Sequence, residues 1–340
     1  MQSHTHYPII HLNTFGVGGV AQRYVRFDAD TEIAGFLRDT PIDDCSYLIL
    51  GGGSNLLFTG DYPGMLLHPA FKGVTVLGDD GRHVRVRAMA GETWDDLVAF
   101  SVENGWGGIE NLSLIPGHVG ASAVQNIGAY GVEVETAVEQ VEAIALDGGE
   151  TVHLTAGECG FGYRSSHFKS RWAGRFMVTA VVFRLRRTPR FVLDYPGVRE
   201  GVERRGAVNL KTIRQTIISI RQAKLPDPAE TGNAGSFFKN PVVDSGILEI
   251  LLDRYPDLPH YPQGEKRFKL AAGWLIERCG WKGRQVGRAA VHDRQALVLV
   301  NRGGATGREI LDLSETIAAS VADHFGVRLE REVRVVGTVE

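Results

Sequence analysis

The sequence has little cysteine and no long apolar run, and each shortage excludes a class of protein. Its 340 residues include three cysteines, Cys45, Cys159 and Cys279, which are far apart and odd in number. This predicts reduced thiols rather than a disulfide framework. No apolar run reaches the roughly 18 residues that span a bilayer, and residues 1–10 lack the features of a secretory signal. We therefore expect a cytoplasmic protein that is not held in a membrane.

Charge of one sign is also scarce, and the common metal and nucleotide motifs are missing. The net charge is −3, from 37 basic and 40 acidic residues, so no basic field indicates nucleic acid as a partner. There is no CxxC, HExxH or GxxxxGK[ST], which argues against a zinc site and a P-loop. Glycine is abundant instead, at 42 of 340 residues against a usual share of about 7%. This density predicts many tight turns, or close approaches of the backbone to a ligand.

Strands are indicated at several points along the chain. Residues 46–50 form a short apolar run that leads directly into a glycine-rich stretch, and residues 176–185 form a longer one. Val84, Val86 and Ala88 alternate with arginines, which is the period of a strand with one buried face. These segments predict strands that alternate with helices along the chain.

Three helices are predicted from apolar spacing and from end signals. Residues 94–102 have helical spacing and precede Gly105, which ends the helix. A helix with three isoleucines on one face ends before Pro226. Thr306 and Glu309 predict a capping box at the start of the third helix.

Two further segments are polar. We interpret residues 186–207, which hold two prolines and several arginines, as a loop or a domain junction. Residues 327–335 alternate as a strand does, apart from an interruption at Arg331. One face of this strand carries Val327, Leu329, Val333 and Val335, and the other carries Arg328, Glu330, Glu332 and Arg334. The charged face is either the wall of a polar site or a solvated edge with ordinary ion pairs.

Three glycine-rich stretches are candidates for binding a cofactor. Residues 16–21 fit GxGxxA, but residues 22–27 look like a strand, whereas a Rossmann fingerprint opens a helix. The stretch GGGSN at 51–55 follows a strand and leaves backbone N–H groups uncovered, so it is either a pyrophosphate nest or a flexible hairpin loop. Residues 115–131 hold few bulky charged side chains, so a flat ligand could lie against their backbone; a packing contact is the alternative.

Two polar segments carry candidate reactive groups. Residues 161–169 (FGYRSSHFK) include Arg164, which could hold a carboxylate or phosphate or belong to a surface basic patch. Residues 221–240 include Ser236, which is not in a GxSxG elbow. Composition leaves open whether this serine caps a helix, binds a ligand or donates a proton.

In this order, the segments resemble the UDP-N-acetylenolpyruvoylglucosamine reductase (MurB) family, in its longer type I form. The resemblance covers nearly the whole chain. The motifs that carry it are Asn13–Gly16 (NTFG), Leu50–Leu57 (LGGGSNLL), Ile115–Tyr130, Gly162–Arg164 (GYR), Gly232–Pro241 (GNAGSFFKNP), Ala271–Gly283 (AAGWLIERCGWKG) and Leu329–Gly337 (LEREVRVVG).

The resemblance implies a fold of the α+β class. A two-part FAD-binding domain of the vanillyl-alcohol oxidase (PCMH) type would precede a C-terminal α+β substrate-binding domain. We expect the two FAD-binding parts at residues 1–70 and 71–205. The substrate-binding domain would span 206–325, and 326–340 would form a strand that returns to the active site.

The resemblance also implies the activity and its partners. The family reduces UDP-N-acetylglucosamine enolpyruvate to UDP-N-acetylmuramate for peptidoglycan synthesis, with FAD as cofactor and NADPH as co-substrate. We expect a monomer without metal, nucleic-acid or membrane partners. The alternatives are an oxidase of the same flavin fold, which would consume NADPH without the enolpyruvyl substrate, and a nucleotide-sugar sensor without turnover, which would lack flavin colour.

Site residues follow from the same resemblance, position by position. FAD would be bound by Gly51, Gly52, Gly53, Ser54, Asn55, Ile115, Pro116, Gly117, Ser122, Asn126 and Gly128. Three residues would be catalytic. Arg164 would polarise the enolpyruvyl carboxylate, Ser236 would protonate carbon 2, and Glu332 would support the enolic carboxylate. The substrate would be bound by Tyr195, Lys224 and Asn240.

The chemistry explains why these residue types are needed. An enol ether accepts hydride at carbon 3 only if the attached carboxylate can take up charge, which a guanidinium stabilises. Carbon 2 is then a strong base, so even a weakly acidic serine hydroxyl can protonate it within hydrogen-bond reach. Arg334, on the same strand face as Glu332, could instead hold that carboxyl ionised.

Overall fold

In the structure, a computed structural model, residues 1–40, 42 and 46–337 are described. The chain forms two compact units, each built from separate stretches of sequence. The first unit comprises Met1–Tyr7, Ala21–Gly52 and Pro63–Ala223; the second comprises Pro8–Val20, Gly53–Tyr62 and the chain from Lys224 onward. The four-part division expected from the sequence stays a prediction, and its last three residues lie outside the described range, as does Cys45.

The described residues mix strands with shorter runs of helix, which confirms the α+β class. The strands are β1 (Gln2–Pro8), β2 (Val20–Phe27), β3 (Tyr47–Ile49), β4 (Leu56–Phe58), β5 (Tyr62–Pro69), β6 (Val74–Asp79), β7 (His83–Met89), β8 (Gly128–Ala129), β9 (Val132–Glu133), β10 (Val138–Ala145), β11 (Thr151–Thr155), β12 (Phe176–Arg186), β13 (Gly232–Ser236), β14 (Val242–Asp244), β15 (His260–Pro262), β16 (Arg267–Leu270), β17 (Gln285–Val286), β18 (Ala289–Val291), β19 (Val298–Asn301) and β20 (Arg334–Val336).

The helices are short except for the last and the fifth. They are α1 (Thr31–Asp39), α2 (Trp94–Glu103), α3 (Val119–Gln125), α4 (Val198–Glu203), α5 (Leu210–Lys224), α6 (Ser245–Arg254), α7 (Ala272–Arg278) and α8 (Gly307–Phe325). Across the described chain, no helix has both the length and the apolar character needed to cross a bilayer.

The first unit is built on an antiparallel sheet in the order β11-β10-β12-β7-β6. Val84, Val86 and Ala88 of β7 are buried, which confirms the predicted period, because the intervening arginines lie on the opposite face. There Arg87 forms an ion pair with Glu142 of β10 at 2.6 Å, reaching across β12. The buried face packs against α2 and α3 in one large apolar core. A second sheet of this unit has the order β1-β2-β5-β3.

The second unit has smaller sheets. Strands β13-β19-β18-β17 form one antiparallel sheet and β14-β16-β15 another, and α8 packs on β18 and β19. At the start of α8 the hydroxyl of Thr306 accepts from the N–H of Glu309 while the Glu309 carboxylate accepts from the N–H of Thr306. The predicted capping box is therefore confirmed.

Two predictions about the polar segments need correction. Within 186–207 the chain forms α4, which begins after Gly197 because Val198 and Val202 bury one side of it. The predicted strand 327–335 has only its last part in regular pairing, since β20 begins at Arg334 and pairs in parallel with β4. Val327 and Val333 are buried as the alternation predicts. The chain between them instead runs beside residues 237–239, which follow β13.

Candidate active site

The glycine-rich loop after β3 depends on residues without side chains. In the first unit, a Cβ on Gly52 would lie 3.0 Å from the Cα of Gly117, so the two backbones approach as only glycines allow. In the second unit, Gly53 has a φ of +64°, and a Cβ there would overlap the carbonyl oxygen of Leu12. Its own carbonyl accepts from the N–H of Thr14 at 3.2 Å.

The first-unit part of this loop faces the start of α3 across small residues. A Cβ on Gly51 would lie 3.2 Å from the Cβ of Ala121. Beside Gly52 lies the ring of His118, whose Nδ1 is buried and has no hydrogen-bond partner among the described residues. Burial also lowers the pKa of His118. The partly buried backbone of Gly51 and Gly52, and a buried imidazole nitrogen of His118 that lacks a partner among the described residues, fit a flat cofactor that carries hydrogen-bonding groups.

Two predicted cofactor residues on α3 and just after it have buried side chains with partners in the protein. The hydroxyl of Ser122 donates to the carbonyl of Val119 at 2.6 Å. Asn126 adopts a φ of +46°, and its amide nitrogen donates to Gly162 at 2.9 Å and to the Glu133 carboxylate at 3.1 Å. These hydrogen bonds fix the loop. Ser122 and Asn126 would therefore contact the cofactor through backbone atoms, or through side chains that change conformation.

The other cofactor candidates of this stretch lie at its ends. Ile115 is partly buried and packs against the core of the first unit, whereas Pro116 is exposed. Gly128 lies in the short hairpin of β8 and β9. Ser54 and Asn55 lie in the second unit, where the Asn55 amide donates to the Glu332 carbonyl at 3.2 Å.

Arg164 occupies the tip of a tight hairpin in the first unit. Gly162 and Ser165 exchange two backbone hydrogen bonds of 3.0 Å, and Arg164 between them has a φ of +54°. A non-glycine residue in this left-handed region is uncommon and points to a constraint on its side chain. Its guanidinium donates to the Gly128 carbonyl at 2.6 Å and lies 5.2 Å from the centre of the Tyr163 ring.

Tyr195 lies in the first unit beside the end of the 115–131 loop. Its side chain is 45% exposed, and its ring meets the ring of Tyr130 edge-on at 5.1 Å. Asn111 is buried, and its amide donates to the carbonyls of Tyr130 and Val192, both at 2.9 Å. Burial raises the pKa of Tyr130 and lowers that of Arg221 beside it. One buried amide therefore ties the loop to the segment that carries Tyr195.

Ser236 and Glu332 lie on adjacent segments of the second unit. The backbone N–H of Glu332 donates to the carbonyl of Phe237 at 2.8 Å, and Phe238 bridges to Arg331. The chain before β20 thus runs antiparallel to the chain after β13, which is why residues 327–333 do not continue β20 as a strand. Both candidate side chains are partly buried.

The remaining substrate candidates lie in the second unit. Lys224 is exposed at the end of α5. The side-chain oxygen of Asn240 accepts from the N–H of Ala272 at 2.9 Å, which holds the first turn of α7. Lys239, the residue before Asn240, forms an ion pair with the exposed Glu330 at 2.5 Å.

The structure thus brings predicted residues together within each unit. In the second unit the backbone of Glu332 bonds to Phe237, the residue after Ser236, and to the amide of Asn55. In the first unit the guanidinium of Arg164 bonds to Gly128. Sequence reasoning missed Asn111 and assigned no separate role to Gln125 and Lys169, which lie within its candidate segments; all three hold these segments.

The chain matches two models of known protein domains. A model of the FAD-binding domain matches residues 21–155, which include the 51–55 loop and the whole 115–131 stretch, so the chain is a flavoprotein by class. A model of the UDP-N-acetylenolpyruvoylglucosamine reductase C-terminal domain matches residues 227–336, which include Ser236 and Glu332.

Two relatives and one solved structure agree with these matches. The chain is 48% identical over 332 residues to UDP-N-acetylenolpyruvoylglucosamine reductase of Burkholderia ambifaria, covering 96% of this chain and 95% of the relative. It is 46% identical over 330 residues to the Bacteroides fragilis enzyme of that name, covering 97% and 99%. The Thermus caldophilus reductase structure shares its fold, with a TM-score of 0.67, 24% identity and coverage of 99% and 98%. The chain belongs to the UDP-N-acetylenolpyruvoylglucosamine reductase family.

Proposed function

We propose that Arg164, Ser236 and Glu332 carry the reaction of this family in this chain. The reaction is the NADPH-dependent reduction of UDP-N-acetylglucosamine enolpyruvate to UDP-N-acetylmuramate, a step in peptidoglycan synthesis. Bound FAD supplies the hydride relay between NADPH and the enolpyruvyl group. The observation that supports the proposal is the hydrogen bond from the Glu332 N–H to the Phe237 carbonyl, because it joins the segment that carries Glu332 to the segment that carries Ser236.

Arg164 would bind the enolpyruvyl carboxylate. A guanidinium presents paired donors to a carboxylate and keeps its charge at any physiological pH. Its left-handed backbone supports this role, since such strain is stored where the position of a side chain matters. Negative charge that develops on the carboxylate during hydride addition would be stabilised by these donors.

Ser236 would deliver the proton to carbon 2. The hydroxyl is a weak acid, so its contribution depends on being held within hydrogen-bond reach of a strongly basic carbon. The pairing of Phe237 with Glu332 supports this, because it fixes the backbone next to the serine. Glu332 would lie against the same carboxylate, as its acid or hydrogen-bond partner.

The remaining residues would bind the substrate and the cofactor. We propose Gly51–Asn55, Ile115–Gly117, Ser122, Asn126 and Gly128 for FAD, and Tyr195, Lys224 and Asn240 for the nucleotide sugar. The support is the glycine backbone beside His118, the exposed ring of Tyr195 and the exposed ammonium of Lys224. We also propose that the enzyme is a monomer in the cytoplasm and needs no membrane or nucleic-acid partner; gel filtration and cell fractionation test these points.

The test is an anaerobic experiment with two half-reactions. Protein reduced by NADPH is mixed with the enolpyruvyl nucleotide in a stopped-flow instrument, and return of the oxidised flavin absorbance is followed. The proposal expects rapid reoxidation and formation of UDP-N-acetylmuramate. A reduced flavin that does not respond to the nucleotide, but is reoxidised rapidly once oxygen is admitted, would contradict the proposal and indicate an oxidase. Protein without flavin absorbance would indicate a binding protein without turnover.

A further inference from the structure

Hydrogen bonds hold the Arg164 hairpin to the end of α3. The Asn126 amide donates to the carbonyl of Gly162, at the base of the hairpin. The hydroxyl of Ser166 donates to the carbonyl of Val124 at 2.7 Å, just beyond the hairpin. Both bonds join the stretch that carries the cofactor candidates to the turn that carries Arg164.

A third side chain reaches the tip. The ammonium of Lys169 donates to the side-chain oxygen of Gln125 at 2.6 Å and to the carbonyl oxygen of Arg164 at 3.2 Å. Lys169 ends a short 3₁₀ helix, His167–Lys169, and is partly buried. Among the described hydrogen bonds at this hairpin, it joins α3 directly to the backbone of Arg164.

We infer that Lys169 is a positioning residue for Arg164, and this rests on the role proposed for Arg164. A charged donor binds a carbonyl oxygen more strongly than a neutral one does. By fixing the peptide that follows Arg164, the ammonium stabilises a backbone conformation that arginine otherwise adopts rarely. With the backbone of Arg164 fixed in this way, its guanidinium is directed toward the carbonyl of Gly128.

Loss of this bond should misplace the guanidinium without removing it. Catalytic groups displaced by about 1 Å can cost a factor of about 100 in rate. The effect should fall on the half-reaction in which the enolpyruvyl carboxylate gains charge. Reduction of the flavin by NADPH does not use that carboxylate and should be spared.

The experiment is the Lys169→Met variant of the FAD-loaded enzyme, measured in both half-reactions. We expect reoxidation by the enolpyruvyl nucleotide to slow by roughly 10-fold to 100-fold. Reduction by NADPH, FAD content and the thermal midpoint should stay close to those of the parent. Lys169→Arg, which keeps a charged donor, should recover part of the rate, and Gln125→Met should slow the same step by a smaller factor.

Lys211→Met is the matched control, because Lys211 is an exposed lysine on α5 of the same unit. It should leave both half-reactions unchanged. In an Arg164→Met background, adding Lys169→Met should cause no further slowing, since the positioned group is gone.

Several results would overturn the inference. One is unchanged reoxidation in Lys169→Met while Arg164→Met abolishes it. Another is slowing of both half-reactions in proportion to lost FAD or stability, which would show a merely structural role. If Arg164→Met itself leaves reoxidation intact, the proposed role of Arg164 fails first and this inference fails with it. If Lys169→Met does not fold, Gln125→Met decides the question by the same two rates.

Discussion

The guanidinium of Arg164 reaches the carbonyl oxygen of Gly128, at 2.6 Å, through space that a side chain at position 128 would fill. A Cβ on Gly128 would lie 2.7 Å from Nη1 of Arg164 and 2.9 Å from Cγ of Glu133. Gly128 has an ordinary φ, so its backbone would accept alanine. The requirement for glycine therefore comes from crowding, first by Arg164 and then by Glu133 and the Val132 carbonyl, rather than from the backbone conformation of residue 128.

We predict that Gly128→Ala slows substrate-driven reoxidation of the flavin by roughly 10-fold to 100-fold, because the arginine must move. Reduction by NADPH should change by less than about twofold. Gly157→Ala is the control, since a Cβ there meets nothing within 4 Å. Equal effects of the two variants in stopped-flow measurements would contradict the prediction.

Ser236→Ala should separate the two half-reactions more sharply. Without a proton donor at carbon 2, reoxidation should slow by about three or more powers of ten, while reduction by NADPH stays intact. Both rates are read from the flavin absorbance. Slow reduction with normal reoxidation would be the opposite of what a proton donor requires. Ser320→Ala, on α8 of the same unit, is the control.

Glu332 has a neighbouring carboxylate that serves as a comparison. We predict that Glu332→Gln slows reoxidation by about 100-fold, because it removes the group proposed to lie against the substrate carboxylate. Glu330→Gln should have little effect, since Glu330 is exposed and pairs with Lys239 at the surface. Similar losses in both variants would point to the charge of the whole segment instead of to one side chain.

The cofactor loop can be tested by flavin content. Gly52→Ala would place a Cβ 3.0 Å from the Cα of Gly117 and 3.3 Å from the His118 ring, so one segment must shift. We expect the purified variant to retain less than about half of its FAD, measured as the ratio of visible to ultraviolet absorbance. Gly78→Ala, where nothing lies within 4 Å of the added Cβ, should retain it all. Full retention in Gly52→Ala would mean that this close approach does not shape the cofactor site.

His68 predicts a loss of stability in acid. Its Nδ1 shares a hydrogen bond of 2.8 Å with the Tyr24 hydroxyl, and burial lowers its pKa to about 4. Because the unfolded histidine titrates near pH 6.5, acid protonates the unfolded chain first. Stability is therefore complete above about pH 6.5 and falls as the pH drops toward 4, by on the order of 3 kcal/mol.

The test compares thermal midpoints at neutral and acid pH. In His68→Gln the difference between the two midpoints should shrink, since the titrating group is gone. His153→Gln, which changes an exposed histidine of β11, should keep the full difference. Identical pH profiles for the parent and His68→Gln would show that other groups govern acid unfolding.

The parts of the fold that the sequence predicts are those set by neighbouring residues. The capping box of Thr306 and Glu309, and the period of β7, depend on side chains a few positions apart, and both are confirmed. α4 was missed because Pro196 and Gly197 precede it and charged residues surround its two buried valines. Local composition there favours a loop, but burial of Val198 and Val202 stabilises a helix.

The site depends on pairings between distant residues. The bond between Phe237 and Glu332, and the bond between Lys169 and Arg164, join groups that no short-range pattern links. The left-handed backbone of Arg164 is likewise unexpected for an arginine, because its cost is balanced by contacts elsewhere in the unit. Family resemblance identifies the candidate residues, and the structure shows the hydrogen bonds that hold their segments.

The parallel pairing of β4 with β20 has a consequence for synthesis on the ribosome. Leu56 pairs with Arg334, so β4 leaves the exit tunnel long before its partner strand is made. Until then it exposes unpaired backbone groups, and a long-range closure of this kind is slow. The nascent chain should therefore need chaperone protection until its last strand is translated, and stalling before Arg334 should leave it prone to aggregation.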